Sequence, residues 1–440
     1  MEPIETKKPD KKVFLRHFSQ SLFTKLLNIL FRLVRNALLA RILGPADRGL
    51  FALICSLPEL IMTAGNAGLS NSAAYHVANK SGTLKQIVAN TNTQIVCISL
   101  ILMASSFFLI EQPWLVKDYS ISIKTFGLFI AFSIPLMLIK YININILNVL
   151  HRISQVNILS LFESMTPLVL FLFLWGVFDV DPLIAATWAW FCSLGILAIL
   201  TVVFLKQGFP IRFNRDLQKD LLGYGVRGHF DTLFQKLLLR IDFLFVSSFL
   251  GAEFLGYYAM ATAAAELLLV LPNSLAIPMY SFLMRKGSKE KNMVTPIVLR
   301  TLVSCMIVFA IIFAITGKVL IYILFGEAYL PAYEPLLLLL PGIVFLSYCS
   351  LIRLDLLGQN MPGTVSIISG IAVIINVVLN VALIDSLGMA GVALASTLSY
   401  AIAATGLCII YVRLTGLGVT ETLIIKSSDI QLILETIRRK

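Results

Sequence analysis

The chain is dominated by apolar runs of about twenty residues that are separated by short polar links. The run "PLIAATWAWFCSLGILAILTVVFL" at 182–205, for example, contains no charged side chain. Of the 440 residues, 58% are hydrophobic and only 13% are charged, which is more apolar surface than one soluble core can bury. Uncharged runs of this length are typical of helices that cross a bilayer. We therefore predict an all-α polytopic membrane protein.

The apolar runs predict about twelve transmembrane helices. We place them at about 19–41, 49–72, 91–110, 122–142, 155–178, 183–205, 222–250, 255–282, 297–316, 333–352, 363–384 and 389–411. Lysine and arginine are concentrated in the links that follow even-numbered helices. Because positively charged loops stay in the cytoplasm, both termini are predicted to be cytoplasmic. Apolar residues spaced i, i+3, i+4 and i+7 in the tail "SSDIQLILETIRRK" predict a short amphipathic helix on that side.

An internal repeat relates the two halves of the chain at an offset of 207 residues. The largest polar link, 206–220, lies near the middle, which is where a boundary between halves is expected. The matched pairs are Gly44 with Gly251, Gly49 with Gly256, Glu59 with Glu266, Asn66 with Asn273, and Tyr141 with Tyr348. We predict a six-helix lobe at 1–206 and a second at 207–440, related by a pseudo-two-fold axis along the membrane normal.

Composition and motifs argue against several classes of protein. The net charge of +11 does not indicate nucleic-acid binding, because the cations lie in short links and form no single basic face. The six cysteines fall inside apolar runs without CxxC spacing, so neither a disulfide nor a metal site is expected. There is no GxxxxGK[ST] motif and no link long enough for a catalytic domain. We therefore expect neither a cofactor nor an enzyme.

The first helix, "FTKLLNILFRLVRNALLARILGP", is unusual because it carries several cations inside an apolar segment. At about 100° per residue, Lys25, Asn28, Arg32 and Arg35 share one face. A cation near the bilayer centre costs roughly 2.5–3.5 kcal/mol on insertion scales, so such a face is expected to line a wet interior. The alternatives are cations that snorkel to the interface and a segment that lies flat on the inner leaflet. Arg41 lies outside this face and is expected to snorkel.

The matching seventh helix, "FDTLFQKLLLRIDFLFV", is also charged. Lys236 and Arg240 lie on one face and are candidate substrate contacts, while Asp242 lies nearly opposite. For Asp242, an internal ion pair with an arginine and a contact to substrate are both open at this stage.

Two glutamates occupy equivalent positions in the repeat. Glu59 and Glu266 each begin an "EL" in the second helix of their half, with an asparagine seven residues later on the same face. A carboxylate at that depth must pair, protonate or face water. Two interpretations remain: a structural salt bridge to the neighbouring cationic helix, and coupling to protons or sodium.

The stretch "NALLARILGPADRGLFAL" and its echo "RIDFLFVSSFLGAEFLGYYAMATAAAELLLVLPNSLAIPMY" resemble the polysaccharide-transport branch of the multidrug/oligosaccharidyl-lipid/polysaccharide exporter superfamily. The likeness is greatest to Wzx-type O-antigen flippases. It implies a MATE-like fold of two six-helix lobes around a central cavity bordered by the first and second helices of each lobe.

The same resemblance implies a function. Such proteins flip polyprenyl-pyrophosphate-linked oligosaccharide, an O-antigen or other surface polysaccharide unit, across a bacterial inner membrane. The expected partners are this lipid-linked substrate, membrane lipid, and polysaccharide polymerase and chain-length proteins. The alternative is an ion-coupled exporter of small organic molecules, as in MATE-type multidrug efflux, although such exporters generally move cations and have no evident need of Arg32 and Arg35.

Overall fold

A computed structural model describes residues 11–115, 123–274, 288–359 and 361–423, together with 425, 426 and 429. In these residues the chain is helical, with short connections. The α-helices are α1 (Lys11–Gly65), α2 (Leu69–Ala78), α3 (Leu84–Ile110), α4 (Gly127–Val149), α5 (Ile153–Phe178), α6 (Pro182–Leu205), α7 (Arg215–Phe245), α8 (Ala252–Glu266), α9 (Ser288–Phe325), α10 (Tyr333–Gly358), α11 (Pro362–Thr415) and α12 (Val419–Leu423).

By length and apolar composition, eight helices of the described residues can span a membrane, or nine if the bent pair of α1 and α2 counts as one span. α11 has 54 residues and would be about 80 Å long if straight, far more than the roughly 30 Å of a hydrocarbon core. Breaks at Gly388 in α11 and at Gly44 in α1 divide each into two spans. α7 is also long but carries several charges. The two breaks and α7 leave room for more spans than these candidates, and the count of twelve stays a prediction.

The repeat predicted from the sequence is visible in the backbone at its first matched pair. Gly44 has φ 72° and ψ 174°, and Gly251 has φ 98° and ψ 179°. This region of backbone space is accessible essentially only to glycine. Each glycine therefore ends one helix and starts the next at the same place in its half.

Contacts divide the chain into two compact units. Unit 1 comprises Met1–Leu43, Leu57–Gln112 and Ser122–His229, and unit 2 comprises Gly44–Ser56, Pro113–Ile121 and Phe230–Lys440. These bounds describe packing, whereas the predicted boundary at residue 206 describes the repeat, and the two-lobe division by repeat stays a prediction.

In unit 1, helices α3 to α6 pack around an apolar core. Its members include Ile95, Leu102, Ile134, Leu138, Ile142, Ile146, Leu194 and Leu197. Thr83 and Gln86 form a capping box at the start of α3, and Asp181 caps α6 ahead of Pro182. These caps satisfy backbone N–H groups that would otherwise lack partners at the helix ends.

In unit 2, α7 is fastened to α10 and α11 by polar contacts. The guanidinium of Arg353 donates Nε–H to Asp231 at 3.1 Å, and Gln235 Nε2 donates to Ser369 Oγ at 3.0 Å. The hydroxyl of Tyr400 donates to the carbonyl of Leu238 at 2.8 Å. The face of α7 that carries Asp231 and Gln235 is therefore used for packing inside unit 2.

The tail after α11 folds back onto unit 2. Arg300 on α9 forms a buried, two-pronged ion pair with Asp429 and also donates to the carbonyl of Glu421 at 3.1 Å. The predicted amphipathic helix over 430–440 lies outside the described residues.

Candidate functional site

The cationic face of α1 lies opposite an apolar, exposed face of the same helix. Phe23, Leu26 and Leu30 are 63%, 58% and 53% exposed, as expected for side chains that contact lipid. At about 100° per residue, the face that carries Lys25, Arg32 and Arg35 is roughly half a turn away. The side chain of Arg32 is exposed on that far face.

Asn28, which the sequence places on the cationic face, is engaged within unit 1. Its Nδ2 donates to Ser160 Oγ at 2.7 Å, and its Oδ1 accepts from Ser164 Oγ at 2.7 Å. These bonds fasten α1 to α5 and fix how the helix is turned. For the side chains of Lys25 and Arg32, the described residues supply no hydrogen bond or ion pair.

Arg240 and Glu266 form an ion pair in unit 2. Arg240 Nη1 lies 2.6 Å from Glu266 Oε1, and Nη2 lies 3.2 Å from Oε2. The guanidinium also lies 5.5 Å from the ring centroid of Phe243. Of the two interpretations of Glu266, this geometry is that of the structural salt bridge. Arg240 and the half-buried Lys236 remain predicted substrate contacts.

Asp242 is buried, with 2% of its surface exposed, and its partners are neutral. Its carboxylate accepts from the hydroxyl of Tyr258 at 2.8 Å, from Asn380 Nδ2 at 3.2 Å, and from Ser396 Oγ. Asn376 Oδ1 in turn accepts from Asn380 Nδ2 at 2.9 Å. Among the described residues no arginine pairs with Asp242, because α8 and α11 surround it with hydroxyl and amide groups.

One oxygen next to Asp242 lacks a donor. Asn380 is fully buried, and its Oδ1 has no hydrogen-bond partner among the described residues. A buried acceptor without a donor is costly unless a proton or a cation reaches it. Asn376, Asn380 and Ser396 were not singled out from the sequence. The signal that could have found them is the i, i+4 pair of asparagines in an otherwise apolar run.

Glu59, the repeat equivalent of Glu266, has a different environment. It is partly buried in unit 1, and the hydroxyl of Tyr141 donates to its Oε1 over a long 3.5 Å. Long contacts of this kind are weak.

Two cations near the predicted ends of the fourth and tenth helices are paired with carboxylates. Lys140 is 3% exposed and its Nζ lies 2.9 Å from Glu163 Oε1, while Arg353 pairs with Asp231. α4 continues to Val149 and α10 to Gly358, several residues beyond the predicted ends at 142 and 352. The longer helices bring both cations inside the packed region.

The fold is shared with membrane transporters of known structure. A multidrug resistance MATE family transporter of the MOP superfamily, in an inward-facing conformation, aligns with a TM-score of 0.71 at 13% identity over 89% of this chain and 98% of its own. The lipid II flippase MurJ aligns with a TM-score of 0.70 at 17% identity over 90% and 87%. A Vibrio cholerae MATE transporter, VcmN, aligns with a TM-score of 0.62 at 15% identity over 93% and 98%.

Sequence comparison identifies the family. No curated protein matches the chain. The model of the polysaccharide biosynthesis protein family matches residues 14–284, which is more than half of the 440 residues. The chain therefore belongs to the polysaccharide biosynthesis protein family and has the fold of the MOP-superfamily transporters.

Proposed function

We propose that the protein is an alternating-access flippase that moves polyprenyl-pyrophosphate-linked oligosaccharide, an O-antigen or other surface polysaccharide unit, across a bacterial inner membrane. The family match and the fold shared with a lipid II flippase support this proposal. Both termini would be cytoplasmic. Polysaccharide polymerase and chain-length proteins would be its partners at the outer face.

The cationic face of α1 is the observation that carries the proposal. Lys25, Arg32 and Arg35 project away from the exposed apolar side chains of the same helix, and Asn28 holds that orientation through α5. Cations inside a membrane protein are retained where they meet water or an anionic partner. The pyrophosphate of the cargo is such a partner.

Arginine is suited to this task by its shape. The planar guanidinium donates two parallel hydrogen bonds to phosphate oxygens, whereas lysine offers only a point charge. Arg32 and Arg35 are three residues apart, so their side chains are neighbours on the helix surface. Together they can meet the two phosphates of one diphosphate group.

The test replaces these arginines in a strain that lacks its own copy of the gene. Arg32→Ala and Arg35→Ala should each reduce surface glycan, and the double variant should abolish it. Replacement by lysine should restore export only in part, because lysine keeps the positive charge but cannot donate the two parallel hydrogen bonds of a guanidinium. Surface glycan is measured together with the membrane level of each variant.

Arg41→Ala is the matched control, since it removes the same charge from the same helix on the side of the exposed apolar residues. We expect it to leave export close to normal. Normal export by the double variant Arg32→Ala, Arg35→Ala would contradict the proposal. An ion-coupled exporter of small organic molecules would then be the better account of the fold.

We further propose that Asp242 is the coupling residue, ahead of Glu59 and Glu266. Its carboxylate has neutral partners, whereas Glu266 is held by Arg240. Carboxylate, amide and hydroxyl oxygens are ligands for hard cations, and Asn380 Oδ1 offers a further acceptor. A proton or a sodium ion at Asp242 would satisfy both groups.

A further inference from the structure

A surface of uncharged polar side chains in unit 1 is separate from the cationic face of α1 and meets the contacts described so far only at the hydrogen bond from Tyr141 to Glu59. We call it the tyrosine–asparagine face. It consists of Ser70, Asn71 and Tyr75 around α2, Tyr141, Asn145 and Asn148 on α4, and Tyr224 on α7. Tyr75, Tyr141 and Tyr224 are 41%, 37% and 39% exposed, a large fraction for aromatic side chains beside polar neighbours.

Hydrogen bonds and ring stacking hold the face together. Asn145 Nδ2 donates to Ser70 Oγ at 2.6 Å, and Ser70 Oγ donates to the carbonyl of Tyr141 at 3.4 Å. The rings of Tyr75 and Tyr224 stack with centroids 3.8 Å apart and planes at 17°. The face is therefore a fixed surface across three helices.

Glycines allow α7 to come this close to α2. A Cβ atom on Gly68 would lie 2.0 Å from the carbonyl oxygen of Gly225, and one on Gly225 would lie 2.5 Å from that of Ala67. Only glycine leaves room for backbones at that distance. The close approach of the two backbones places the ring of Tyr224 against the ring of Tyr75.

The face lies on the other side of α4 from the exposed apolar residues of that helix. On α4, the exposed residues before Pro135 are Leu128 and Phe132, whereas those after it are Tyr141 and Asn148. At about 100° per residue, the polar pair lies on roughly the opposite side of the helix from the apolar pair. Asparagines in a membrane helix face protein or water, because hydrocarbon offers them no hydrogen bonds.

The chemistry of the face differs from that of the cationic face of α1. It offers amide and hydroxyl groups beside aromatic rings, the combination that binds uncharged molecules rich in hydroxyl groups. The charged groups that touch it include Glu59, at the hydroxyl of Tyr141, and Lys140, whose Nζ lies 4.6 Å from the ring of Tyr141. Lys140 is buried and paired with Glu163, so its charge is not presented to a ligand.

A buried histidine lies next to the stack. His76 is 7% exposed, and its ring lies 6.2 Å from that of Tyr224 in an edge-on arrangement. Neither ring nitrogen of His76 has a hydrogen-bond partner among the described residues. Because both nitrogens are buried, His76 supports the stack by packing and presents no nitrogen to a ligand at the surface.

We propose that the tyrosine–asparagine face binds the sugar residues of the cargo, while the cationic face of α1 binds its pyrophosphate. This inference rests on the proposed flippase function. Each face binds the part of the cargo that matches its chemistry. The amides and aromatic rings bind the sugar hydroxyl groups, and the arginines bind the phosphates. Selection among glycans would then depend on the tyrosine–asparagine face.

The test measures binding of two probes to purified protein in lipid nanodiscs. One probe is the polyprenyl-pyrophosphate-linked oligosaccharide extracted from the strain that carries the gene. The other is polyprenyl pyrophosphate without sugar. Tyr75→Ala with Asn148→Leu should weaken binding of the sugar-bearing probe about tenfold, as expected for the loss of one stacking contact and one hydrogen bond. The sugar-free probe should change by less than about twofold.

The controls separate the two faces and guard against misfolding. Tyr322→Ala removes a tyrosine that is 55% exposed on α9 among exposed apolar residues, and should affect neither probe. Asn148→Leu alone changes an exposed side chain and should fold even if Tyr75→Ala does not. Tyr75→Phe keeps the ring and should retain most of the affinity.

The outcomes distinguish this inference from the function on which it rests. Equal weakening of both probes, or no change in either, would overturn the assignment of the tyrosine–asparagine face while leaving the flippase function standing. Failure of the unaltered protein to bind either probe would overturn the flippase function itself.

Discussion

Gly49 and Gly256, which are 207 residues apart, make reciprocal backbone contacts inside unit 2. A Cβ atom on Gly49 would lie 1.8 Å from the carbonyl oxygen of Ala252, and one on Gly256 would lie 1.9 Å from that of Pro45. Pro45 and Ala252 are themselves related by the same offset. The helices that follow Gly44 and Gly251 therefore cross at equivalent points, as a two-fold axis through the crossing requires.

This reciprocity predicts that the two glycines respond alike to substitution. Gly49→Ala and Gly256→Ala should each destabilise the protein by roughly 1–3 kcal/mol, because a methyl group cannot be placed without moving backbone. The measurement is the thermal midpoint of the purified protein in detergent.

Gly195→Ala is the matched control. Gly195 lies inside α6, and a Cβ there would meet nothing within 4 Å. It should be neutral or slightly stabilising, since alanine is the better helix former. If the thermal midpoint of Gly49→Ala were as high as that of Gly195→Ala, the result would contradict the close helix crossing at Gly49.

The helix breaks could be predicted in part, and the crossing could not. The apolar runs on either side of Gly44 and Gly251 are local patterns, so the sequence alone predicts a helix boundary near each glycine. That Gly49 meets Ala252 depends on packing between segments about 200 residues apart, which no local pattern encodes.

The ion pair of Lys140 and Glu163 predicts an asymmetric response. The side chain of Lys140 is 4% exposed and that of Glu163 is 49% exposed. Glu163→Gln leaves a buried lysine without its partner and should cost about 3 kcal/mol, whereas Lys140→Met leaves a glutamate that reaches water and should cost less. Membrane abundance and the thermal midpoint should show this order. The double variant Lys140→Met, Glu163→Gln should recover most of the loss, and equal losses in the two single variants would contradict the burial of Lys140.

The hydrogen-bond partners of the candidate site residues could not be predicted from the sequence, because most of them are distant along the chain. Asn28 appeared to be part of a cationic face, yet Ser160 and Ser164, which engage it, are 132 and 136 residues away. Asp242 contacts Tyr258, Asn380 and Ser396 at separations of 16, 138 and 154 residues. Helical periodicity places the cations of α1 opposite the exposed apolar side chains of that helix, but it does not show which polar side chains already have hydrogen-bond partners.

The attachment of the tail through Asp429 should depend on pH. Hydrogen bonds from the guanidinium of Arg300 lower the pKa of the Asp429 carboxyl below its ordinary value, and burial opposes this only in part. A lowered pKa stabilises the attached state at any pH above the ordinary value of about 4, and this contribution is lost as pH falls through the lowered pKa. Pepsin digestion should therefore release the tail only below about pH 4. In the variant Asp429→Asn, the tail should be cleaved at any pH at which the protease is active. If the tail of this variant were as resistant to cleavage as that of the unaltered protein, the result would argue against the ion pair.

The distribution of lysine and arginine predicts the orientation of the chain. Reporter fusions after Lys219 and Lys440 should report the cytoplasm, and fusions near Asp181 and Glu327 the outside. A fusion after Lys219 that reports the outside would contradict both the number of spans and the parallel repeat.

Substitution should distinguish a coupling role for Asp242 from a structural role for Glu266. Asp242→Asn keeps the shape of the side chain and its neutral partners but removes the charge, so it should abolish export while membrane abundance stays near normal. Glu266→Gln removes the carboxylate that pairs with the half-buried Arg240 and should reduce abundance first. Adding Arg240→Met to Glu266→Gln should restore abundance, because the half-buried positive charge is removed as well. Glu59→Gln tests whether the matching position in the other half also takes part in coupling; Glu59 contacts the hydroxyl of Tyr141 at 3.5 Å.

Surface glycan and membrane abundance are measured for every variant. Asp385→Asn is the control for loss of a carboxylate, because the side chain of Asp385 on α11 is exposed. Export by Asp242→Asn at the level of Asp385→Asn would remove Asp242 from the coupling mechanism, and loss of export with normal abundance in Glu266→Gln would assign that role to Glu266 instead.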